Sequence, residues 1–316
     1  GREGVVGGLA PIHIVIGVDR RLAAACAGQH LVSAAGDHLI GVHVGLGARA
    51  GLPDDQRKLI VMPPVDHLLC RHLDRIVRGR RRQLKALLLA AGLGTRLRPI
   101  TNTIPKCLVP IHGRPLLDYW FELLFQHGIE RALVNTHYFA SEVESFIRQS
   151  VWRDQLTTVY ERQLLGTGGT VLANGEWFGN EAFMVVHADN LSRFNVQNFI
   201  AAHRRRPPAA AMTMMTFDTD APQSCGIVET DADGVVQRFH EKSPNPPGTR
   251  ANGAVYIFQP EVIDFLRATG RSIIDLSTEV IPAFLGRIAT YHNTDYHRDI
   301  GTVESLAKAE REYAVQ

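Results

Sequence analysis

A glycine-rich turn with two arginines carries the chemistry that this sequence most clearly predicts. The segment GLGTRLRP, residues 92–99, follows the apolar run KALLLAA, which has the composition of a buried strand. Glycines let the backbone approach a ligand closely, and amide groups after a parallel strand are placed to bind phosphate. Arg96 and Arg98 add cationic donors, and Lys106 follows ten residues after Arg96. This spacing predicts a site for a phosphorylated nucleotide.

Two better-known phosphate-binding motifs do not fit this turn. A Walker A loop needs Gly-Lys followed by Ser or Thr at a fixed spacing, and the turn lacks it. The dinucleotide-binding fingerprint needs a third glycine where this chain has Leu97. A nicotinamide-dependent oxidoreductase is therefore disfavoured. A glycine turn with solvated arginines and no ligand is the plainer alternative. The combined G-x-G-T-R-x-x-P and P-K spacing is a more specific signal for phosphate binding than a glycine turn alone.

The pattern after residue 83 predicts the elements that position the turn. The apolar runs KALLLAA, RALVNT, AFMVVH and AAAMTMMTF alternate with segments of helical periodicity. This alternation is typical of a mostly parallel sheet with helices on its faces. The TDADGVV turn after GIVE predicts a hairpin with Asp233 and Gly234 at its tip. Ser141 and Glu144 predict a capping box at the start of a helix. Residues 84–316 therefore predict one α/β domain with an antiparallel insertion.

The first 83 residues differ from the rest in composition. All 23 aromatic residues lie after residue 83, and residues 1–83 hold twelve Lys and Arg against seven Asp and Glu. One interpretation is an accessory segment, with strands in PIHIVIGV and DHLIGVHVGLG and a helix in VDHLLCRHLDRIV. The other is non-native upstream translation before a start at Leu84. We favour the second, because a catalytic domain of this type naturally starts at its first strand.

Overall composition disfavours several classes of protein. The formal net charge of +2 is too small for a nucleic-acid or membrane-surface protein. The four cysteines are scattered without a CxxC pair, which argues against structural zinc and favours a reducing compartment. The longest apolar runs are too short to span a membrane. We therefore expect a cytoplasmic protein that binds neither nucleic acid nor a membrane, and homo-oligomerisation stays open.

The segment LLLAAGLGTRLRPITNTIPKCLVPIHGRPLL resembles the signature of the sugar-1-phosphate nucleotidyltransferases. Further matches follow in the family's order, namely ERQLLGTGG, VVHADN, GIVE, FHEKSPNPPG, NGAVYIF and HRDIGT. The resemblance covers residues 84–316 and does not include 1–83. It implies a Rossmann-like, mostly parallel mixed sheet flanked by helices, with a small antiparallel sugar-binding insertion. It also implies transfer of a nucleotidyl group from an NTP to a sugar 1-phosphate, giving an NDP-sugar and pyrophosphate.

The resemblance implies roles for individual residues. Arg96, Lys106 and Asp189 match catalytic positions, with Arg96 on the NTP phosphates and Lys106 bridging to the sugar phosphate. Asp189 and Asp299 match the two aspartates that hold Mg²⁺, which prefers oxygen ligands. The implied NTP-binding residues are Leu89, Ala91, Gly92, Gly94, Thr95, Glu161, Gly166 and Gly168. The implied sugar-phosphate-binding residues are Glu241, Lys242 and Asn252.

Three residues near the predicted metal site depart from the family or lack an assigned role. Many family members carry glycine before the first aspartate, where this chain has Ala188, and a methyl group there would crowd the sugar or the NTP. His187 and His297 each lie two residues before a predicted metal ligand, the spacing that puts side chains on one face of a strand. We expect them to tune the metal or to contact the sugar, and the plainer alternative is that they are packed and hydrogen-bonded within the fold. Direct ligation is disfavoured because magnesium prefers oxygen.

Selectivity for base and sugar rests on a few contacts that these motifs do not determine. The LGTGG form and the series CGIVE, FHEK, NGAVYIF and DIGT look most like guanylyltransferases acting on mannose or manno-heptose 1-phosphate. Uridylyl or thymidylyl transfer to another sugar 1-phosphate is the alternative. An alternative from another class is a catalytically silent nucleotide-sugar-binding regulatory protein. The presence of all four predicted catalytic and metal-binding residues disfavours that alternative.

Overall fold

The computed structural model describes residues 84–313 and, as backbone, three strands in the first part of the chain. These strands are β1 (Ile14–Gly17), β2 (Leu31–Ala35) and β3 (His38–Val44), which form an antiparallel sheet in the order β1-β3-β2. β1 and β3 fall within the two segments predicted as strands. The predicted helix at residues 65–77 lies outside the described residues. The chain divides into two compact units, Gly1–Cys70 and Arg71–Gln316.

The second unit contains the following elements. Its strands are β4 (Lys85–Leu89), β5 (Pro110–Ile111), β6 (Arg114–Pro115), β7 (Arg131–Thr136), β8 (Leu156–Tyr160), β9 (Phe183–His187), β10 (Asn190–Arg193), β11 (Met212–Asp218), β12 (Gly226–Thr230), β13 (Val236–Glu241), β14 (Arg250–Phe258), β15 (Ile288–His292) and β16 (Tyr296–Asp299). Its helices are α1 (Leu116–Phe125), α2 (Ala140–Gln149), α3 (Gly166–Ala173), α4 (Gly175–Phe178), α5 (Val196–Arg205), α6 (Glu261–Ala268), α7 (Ile281–Ala283) and α8 (Val303–Glu312). No helix in this described part is long and apolar enough to cross a membrane.

The main sheet has a parallel part and an antiparallel part. Its strands run in the order β13-β12-β14-β9-β4-β7-β8; β11 also pairs with β14, and β15 pairs with β11. β9, β4, β7 and β8 pair in parallel, so their carboxyl ends meet at one edge. β14 pairs antiparallel with β9, β11 and β12, and β12 forms a hairpin with β13 whose turn contains Gly234 at φ 75°. The predicted α/β fold, a mixed sheet flanked by helices with an antiparallel insertion, is confirmed.

Two hydrophobic cores hold β4 in place from opposite faces. Ala86 and Leu88 pack with Trp120 of α1 in one core, whereas Leu87 packs with Val171 of α3 in the other. This is the two-residue period of a strand whose faces are both covered, and it explains the continuous apolar run KALLLAA. The glycine turn that follows β4 therefore starts from a strand whose three central residues are fully buried.

The predicted capping box at the start of α2 is wrong. The helix begins at Ala140, and its N-cap residue is Phe139, in the left-handed region at φ 52°. Ser141 is then already the second helical residue, and its hydroxyl bonds the carboxylate of Glu142 instead. The helix starts two residues earlier than the motif requires, and this removes the motif because a capping side chain must precede the first helical turn.

Candidate active site

A cavity lies at the carboxyl edge of the parallel strands. Seven of the predicted site residues line it: Leu89, Ala91, Gly92, Lys106, Glu161, Gly166 and Asp189. It is also lined by Asn135, Thr167, Thr170 and His187. The residues that follow β4, β8 and β9 meet there because parallel strands end at the same edge. The structure therefore brings most of the predicted nucleotide-binding and catalytic residues together.

Strand order separates the two ends of this cavity. Glu161 follows β8, Asn135 lies in β7, the glycine turn follows β4, and Asp189 follows β9. Because β8, β7, β4 and β9 are successive neighbours, the strands that Glu161 and Asp189 follow are three strand spacings apart, about 14 Å. A nucleotide lying across the strand ends can therefore place its base at one end and its phosphates at the other.

At the β9 end of the cavity, Lys106 joins the two predicted metal-binding aspartates. Its Nζ lies 2.6 Å from Oδ2 of Asp189 and 3.7 Å from Oδ1 of Asp299. The aspartates are close because β10 and β16 pair antiparallel, with Asn190 opposite Asp299, and the amide of Ile300 donates to the carbonyl of Asp189 at 3.1 Å. Two carboxylates that are far apart in the sequence thus meet at one ammonium group.

The charge of Lys106 acts differently on the two carboxyls. Burial alone would raise the pKa of Asp189, but the charge of Lys106 and the hydrogen bond from it hold that pKa below its ordinary value. The pKa of Asp299 is raised, because burial and the charge of Asp189 outweigh the attraction of the more distant Lys106. Asp189 is therefore the main anionic partner of Lys106.

The two carboxylates fit a magnesium ion in their chemistry. They supply oxygen atoms, which magnesium prefers, and they already converge on a cationic group. Within the residues that the structure describes, no group of three or more His, Cys, Asp or Glu side chains is placed to hold a metal ion. The protein would therefore supply two carboxylates and leave the other ligands to water and phosphate, as is usual for magnesium.

The two histidines near these aspartates have different surroundings. His297 is hydrogen-bonded through Nδ1 to Oγ of Ser192 at 2.5 Å and packs against Phe217, and burial lowers its pKa to about 3. His187 lines the cavity, and its buried Nε2 has no hydrogen-bond partner among the described residues. Burial also lowers the pKa of His187. His187 is therefore the histidine of the two that lines the cavity. Its Nε2 is free of hydrogen bonds to the described residues.

The glycine turn places Arg96 near the second aspartate. Its guanidinium Nη2 lies 3.8 Å from Oδ2 of Asp299, and 63% of the side chain is exposed. Leu97, at the position where a dinucleotide-binding motif has glycine, is fully buried in a cluster with Ile300. This contact holds the turn against the residue that follows Asp299. Thr95, beside Arg96 in the turn, does not line the cavity.

Two glycines of the turn serve different purposes. Gly94 has φ +64°, and a Cβ there would lie 2.8 Å from Cγ2 of Thr101, so only glycine fits. Its carbonyl accepts a hydrogen bond of 2.7 Å from the hydroxyl of Thr101, and Gly94 does not line the cavity. Gly92 does line it, and a Cβ there would meet nothing within 4 Å. Its open side leaves room for a ligand.

The LGTGG segment is explained largely by packing. The amides of Gly168 and Gly169 donate to the carbonyl of Ile274, at 2.9 and 3.1 Å. A Cβ on Gly169 would lie 2.2 Å from the carbonyl oxygen of Ser272. Gly166 lines the cavity, whereas Gly168 does not, and its amide is already bonded. Close approach of the backbone, more than ligand contact, accounts for the glycines at 168 and 169.

Two residues that sequence reasoning missed surround Glu161. Oδ1 of Asn135 accepts a hydrogen bond of 2.7 Å from the amide of Ala90, and its Nδ2 donates to Oε1 of Glu161 at 3.0 Å. The hydroxyl of Thr170 donates to the same Oε1 at 2.6 Å. Glu161 Oε2 has no hydrogen-bond partner among the described residues. The signal for Asn135 was a polar residue near the end of the apolar run RALVNT, a position that points to the carboxyl edge of the sheet.

The predicted sugar-binding residues lie in the antiparallel part, outside the residues that line the cavity. Glu241 ends β13 and is paired with Lys242 at 3.2 Å, and Lys242 has φ 45°. Asn252 in β14 donates to the hydroxyl of the fully buried Tyr256 at 2.7 Å and accepts from the amide of Ala254. β14 is the neighbour of β9, so this group continues the row of strand ends beyond Asp189.

Several known proteins resemble this chain. A family model described as nucleotidyl transferase matches residues 85–316. A UTP–glucose-1-phosphate uridylyltransferase from Synechocystis is 32% identical over 245 residues, which is 72% of this chain and 63% of the relative. A mannose-1-phosphate guanylyltransferase from Mycobacterium tuberculosis is 32% identical over 231 residues, again 72% of this chain and 63% of the relative. The chain thus spans less than two thirds of the length of these relatives.

A solved structure agrees at the level of the fold. The crystal structure of HddC from Yersinia pseudotuberculosis superposes with a TM-score of 0.64 at 24% identity, covering 73% of this chain and all of that chain. The predicted resemblance to sugar-1-phosphate nucleotidyltransferases is confirmed by the names of these relatives and by the family match. The family match begins at Lys85, where the first strand of the main sheet starts. Because of this match, the chain belongs to the nucleotidyl transferase family.

Proposed function

We propose that this chain transfers a nucleotidyl group from an NTP to a sugar 1-phosphate and releases pyrophosphate. The observation that carries the proposal is the buried ammonium group of Lys106, held between Asp189 and Asp299 at one end of the cavity. A cation and two carboxylates at that end suit a triphosphate and its counter-ion. The acceptor carboxylate of Glu161 at the other end suits a base.

The reaction needs no general base. An oxygen of the sugar phosphate forms a bond to the α-phosphorus, and the bond from that phosphorus to the oxygen that bridges to the β-phosphorus breaks. Pyrophosphate carries away the electron pair. The attacking phosphate is largely ionised at neutral pH, since its second pKa is about 6. Catalysis then depends on positioning and on neutralising charge, which is what cationic side chains supply.

We assign the phosphate end of the cavity to four residues. Asp189 and Asp299 would hold a magnesium ion, which when bound neutralises phosphate charge. Lys106 would exchange its contact with Asp189 for the phosphates, and its position between the two carboxylates sets it close to the reacting group. Arg96, exposed and 3.8 Å from Asp299, is able to turn toward the triphosphate.

Glu161 supports GTP as the nucleotide. Its Oε2 is a buried acceptor without a partner among the described residues. Guanine carries two adjacent donors on its Watson–Crick edge, N1–H and the N2 amino group. Uracil and thymine present one N–H between two carbonyls, and adenine and cytosine present an amino group beside an unprotonated ring nitrogen. A carboxylate, which only accepts, therefore pairs best with guanine and repels the lone pairs of the other bases.

For the acceptor we propose mannose or manno-heptose 1-phosphate. Glu241, Lys242 and Asn252 offer a carboxylate, a cation and an amide beyond the β9 end of the cavity, groups that suit sugar hydroxyls and a phosphate. The Mycobacterium relative carries the name mannose-1-phosphate guanylyltransferase. The Synechocystis relative, at the same identity, is named for UTP and glucose 1-phosphate, so that pair is the alternative. The scattered cysteines support action in the cytoplasm.

The test is pyrophosphate release by the full chain with Mg²⁺. GTP, UTP, dTTP, CTP and ATP are crossed with the 1-phosphates of mannose, glucose, manno-heptose and amino sugars. We expect one preferred pair, with GTP as the nucleotide, and we expect Lys106→Met to lower the release by at least about 10²- to 10³-fold. If the folded chain binds an NTP yet releases no pyrophosphate with any sugar 1-phosphate, the silent regulatory protein is the better account.

A further inference from the structure

We propose that Asn135 is a positioning residue that determines which atom Glu161 presents to the base. In this role Asn135 makes the site selective for guanine through Glu161, because both polar atoms of its own side-chain amide are already bonded within the protein. The inference rests on the proposed function, because it concerns the base of the NTP that the reaction consumes. It depends on three side chains, Asn135, Glu161 and Thr170, which are only 3%, 6% and 2% exposed.

The orientation of the Asn135 amide is determined by the backbone of the glycine turn. The amide N–H of Ala90 points at the Asn135 side chain at 2.7 Å, so the atom that faces it must be the acceptor Oδ1. Nδ2 is then left to face Glu161, at 3.0 Å from Oε1. A flipped amide would set two donors against each other at Ala90. Because these groups are buried, water does not relieve that conflict.

The same contacts occupy one oxygen of Glu161 and leave the other without a partner. Oε1 accepts from Asn135 and, at 2.6 Å, from the hydroxyl of Thr170, which uses both of its lone pairs. The backbone of Glu161 is tied as well, since its amide donates to the carbonyl of Thr136 at 2.9 Å. Oε2 therefore remains as the acceptor for a ligand. Its two lone pairs match the two neighbouring donors of guanine.

Replacing the acid at position 161 by an amide, or the amide at position 135 by an acid, is expected to disrupt this arrangement of donors and acceptors. In Glu161→Gln, Asn135 and Thr170 still donate, so the amide oxygen takes the place of Oε1 and the amino group takes the place of Oε2. A donor then meets the donors of guanine. In Asn135→Asp, two carboxylates face each other at the position of the present 3.0 Å hydrogen bond, and Glu161 is driven from its place.

Combining the two changes is expected to restore guanine binding. The aspartate introduced at position 135 still accepts from the amide of Ala90, and it now also accepts from the amino group of the glutamine introduced at position 161. The oxygen of that glutamine then returns to the place of Oε2, where it accepts from guanine. The hydroxyl of Thr170 loses its acceptor but has the carbonyl of Gly166 within reach, at 3.0 Å. The net charge of the double variant equals that of the natural chain.

The experiment compares the dissociation constants of GTP and UTP, measured by isothermal titration calorimetry on the full chain. The variants are Glu161→Gln, Asn135→Asp and the double variant. The control is Asn198→Asp, the same chemical change on an exposed residue of α5. We expect each single variant to lose about 10- to 100-fold in preference for GTP over UTP. We expect the double variant to regain most of that preference, and the control to keep all of it.

Additive losses in the double variant would overturn the inference, since a purely structural role for Asn135 predicts them. If Asn135→Asp does not fold, the inference is tested with Glu161→Gln alone. This variant keeps the hydrogen bonds from Asn135 and Thr170, so it should fold. A retained preference for GTP would then overturn the inference. Pyrophosphate release by the natural chain is measured alongside. A natural chain that prefers GTP and shows the rescue but releases no pyrophosphate would refute the proposed reaction and leave the role of Asn135 standing.

Discussion

Nζ of Lys106 donates a hydrogen bond of 2.6 Å to Oδ2 of Asp189, a residue 83 positions further along the chain. Lys106 begins the short turn Lys106–Leu108, and only 6% of its surface is exposed. A buried ammonium group is stable only when it is paired, so the two aspartates stabilise the lysine before any phosphate arrives. The phosphate end of the cavity is thus charged and ordered in advance of its substrate.

Replacing Lys106 by methionine is expected to lower turnover by at least about 10²- to 10³-fold, because a preorganised cation next to the reacting phosphate is lost. Methionine keeps the length and the apolar stem of the side chain, so the fold should remain. The measurement is kcat for pyrophosphate release, with circular dichroism to verify folding. A folded variant that turns over at a nearly normal rate would remove Lys106 from the mechanism.

Asp189→Asn is expected to weaken binding of a divalent ion and to abolish turnover at millimolar Mg²⁺. The matched control is Asp220→Asn, which changes a half-exposed aspartate paired with Arg298 and Lys308 outside the cavity. Direct titration with Mn²⁺, followed by electron paramagnetic resonance, gives a readout that does not depend on activity. Equal Mn²⁺ affinity in the two variants would show that Asp189 does not hold the ion.

Gly169→Ala is expected to destabilise the fold by about 1–3 kcal/mol or more, because the new Cβ would overlap with neighbouring backbone. The clash is with the carbonyl oxygen of Ser272, 2.2 Å from the Cβ position. Gly248→Ala is the control, since a Cβ there would meet nothing within 4 Å. Urea unfolding compares the two variants. Equal midpoints would mean that residues 272–274 move away easily.

The buried His203 is expected to make the fold less stable in mild acid. Burial, with the charges of Arg206 and Arg204, lowers its pKa to about 3, against 6.5 for an ordinary histidine. Between these values the unfolded chain binds a proton that the folded chain does not, so acid favours unfolding. The free energy of unfolding should fall by about 1.4 kcal/mol per pH unit from this group as the pH drops below 6.5.

Urea unfolding of the natural chain and of His203→Gln between pH 7.5 and 4.5 tests this expectation. The imidazole is held by the hydroxyl of Thr213 at 2.8 Å and by Nε2 of Gln259 at 2.6 Å. The glutamine variant should be less stable at pH 7.5 and should show a shallower pH dependence. Parallel pH profiles for the two proteins would mean that His203 takes up its proton in the folded state as readily as in the unfolded one.

A chain shortened to residues 84–316 is expected to stay soluble and active. The family match covers residues 85–316, and the main sheet begins with β4 at Lys85. The measurement is pyrophosphate release by the shortened chain beside the full chain. An insoluble shortened chain next to a soluble full chain would show that residues 1–83 belong to the folded unit.

The sequence by itself determined the elements and the chemistry that depend on short-range pattern. The apolar run before GLGTRLRP predicted a buried strand, and β4 is a strand whose central residues are buried, followed by the glycine turn. The motifs pointed to Lys106, Asp189 and Glu161, and all three line one cavity. The strand was predictable because strand period is a local property, and the three motif residues come together because parallel strands end at one edge. Their roles, which the family resemblance implies, stay predictions.

Only the tertiary structure decided how these residues are paired. The pairing of β10 with β16 brings Asp299 to Asp189, and Asn135 contacts Glu161 across 26 positions of sequence. The same holds for the glycines at 168 and 169, whose purpose depends on the distant backbone at residues 272–274. Such contacts join residues far apart in the chain, so they depend on strand register and packing, which no local pattern of residue types encodes.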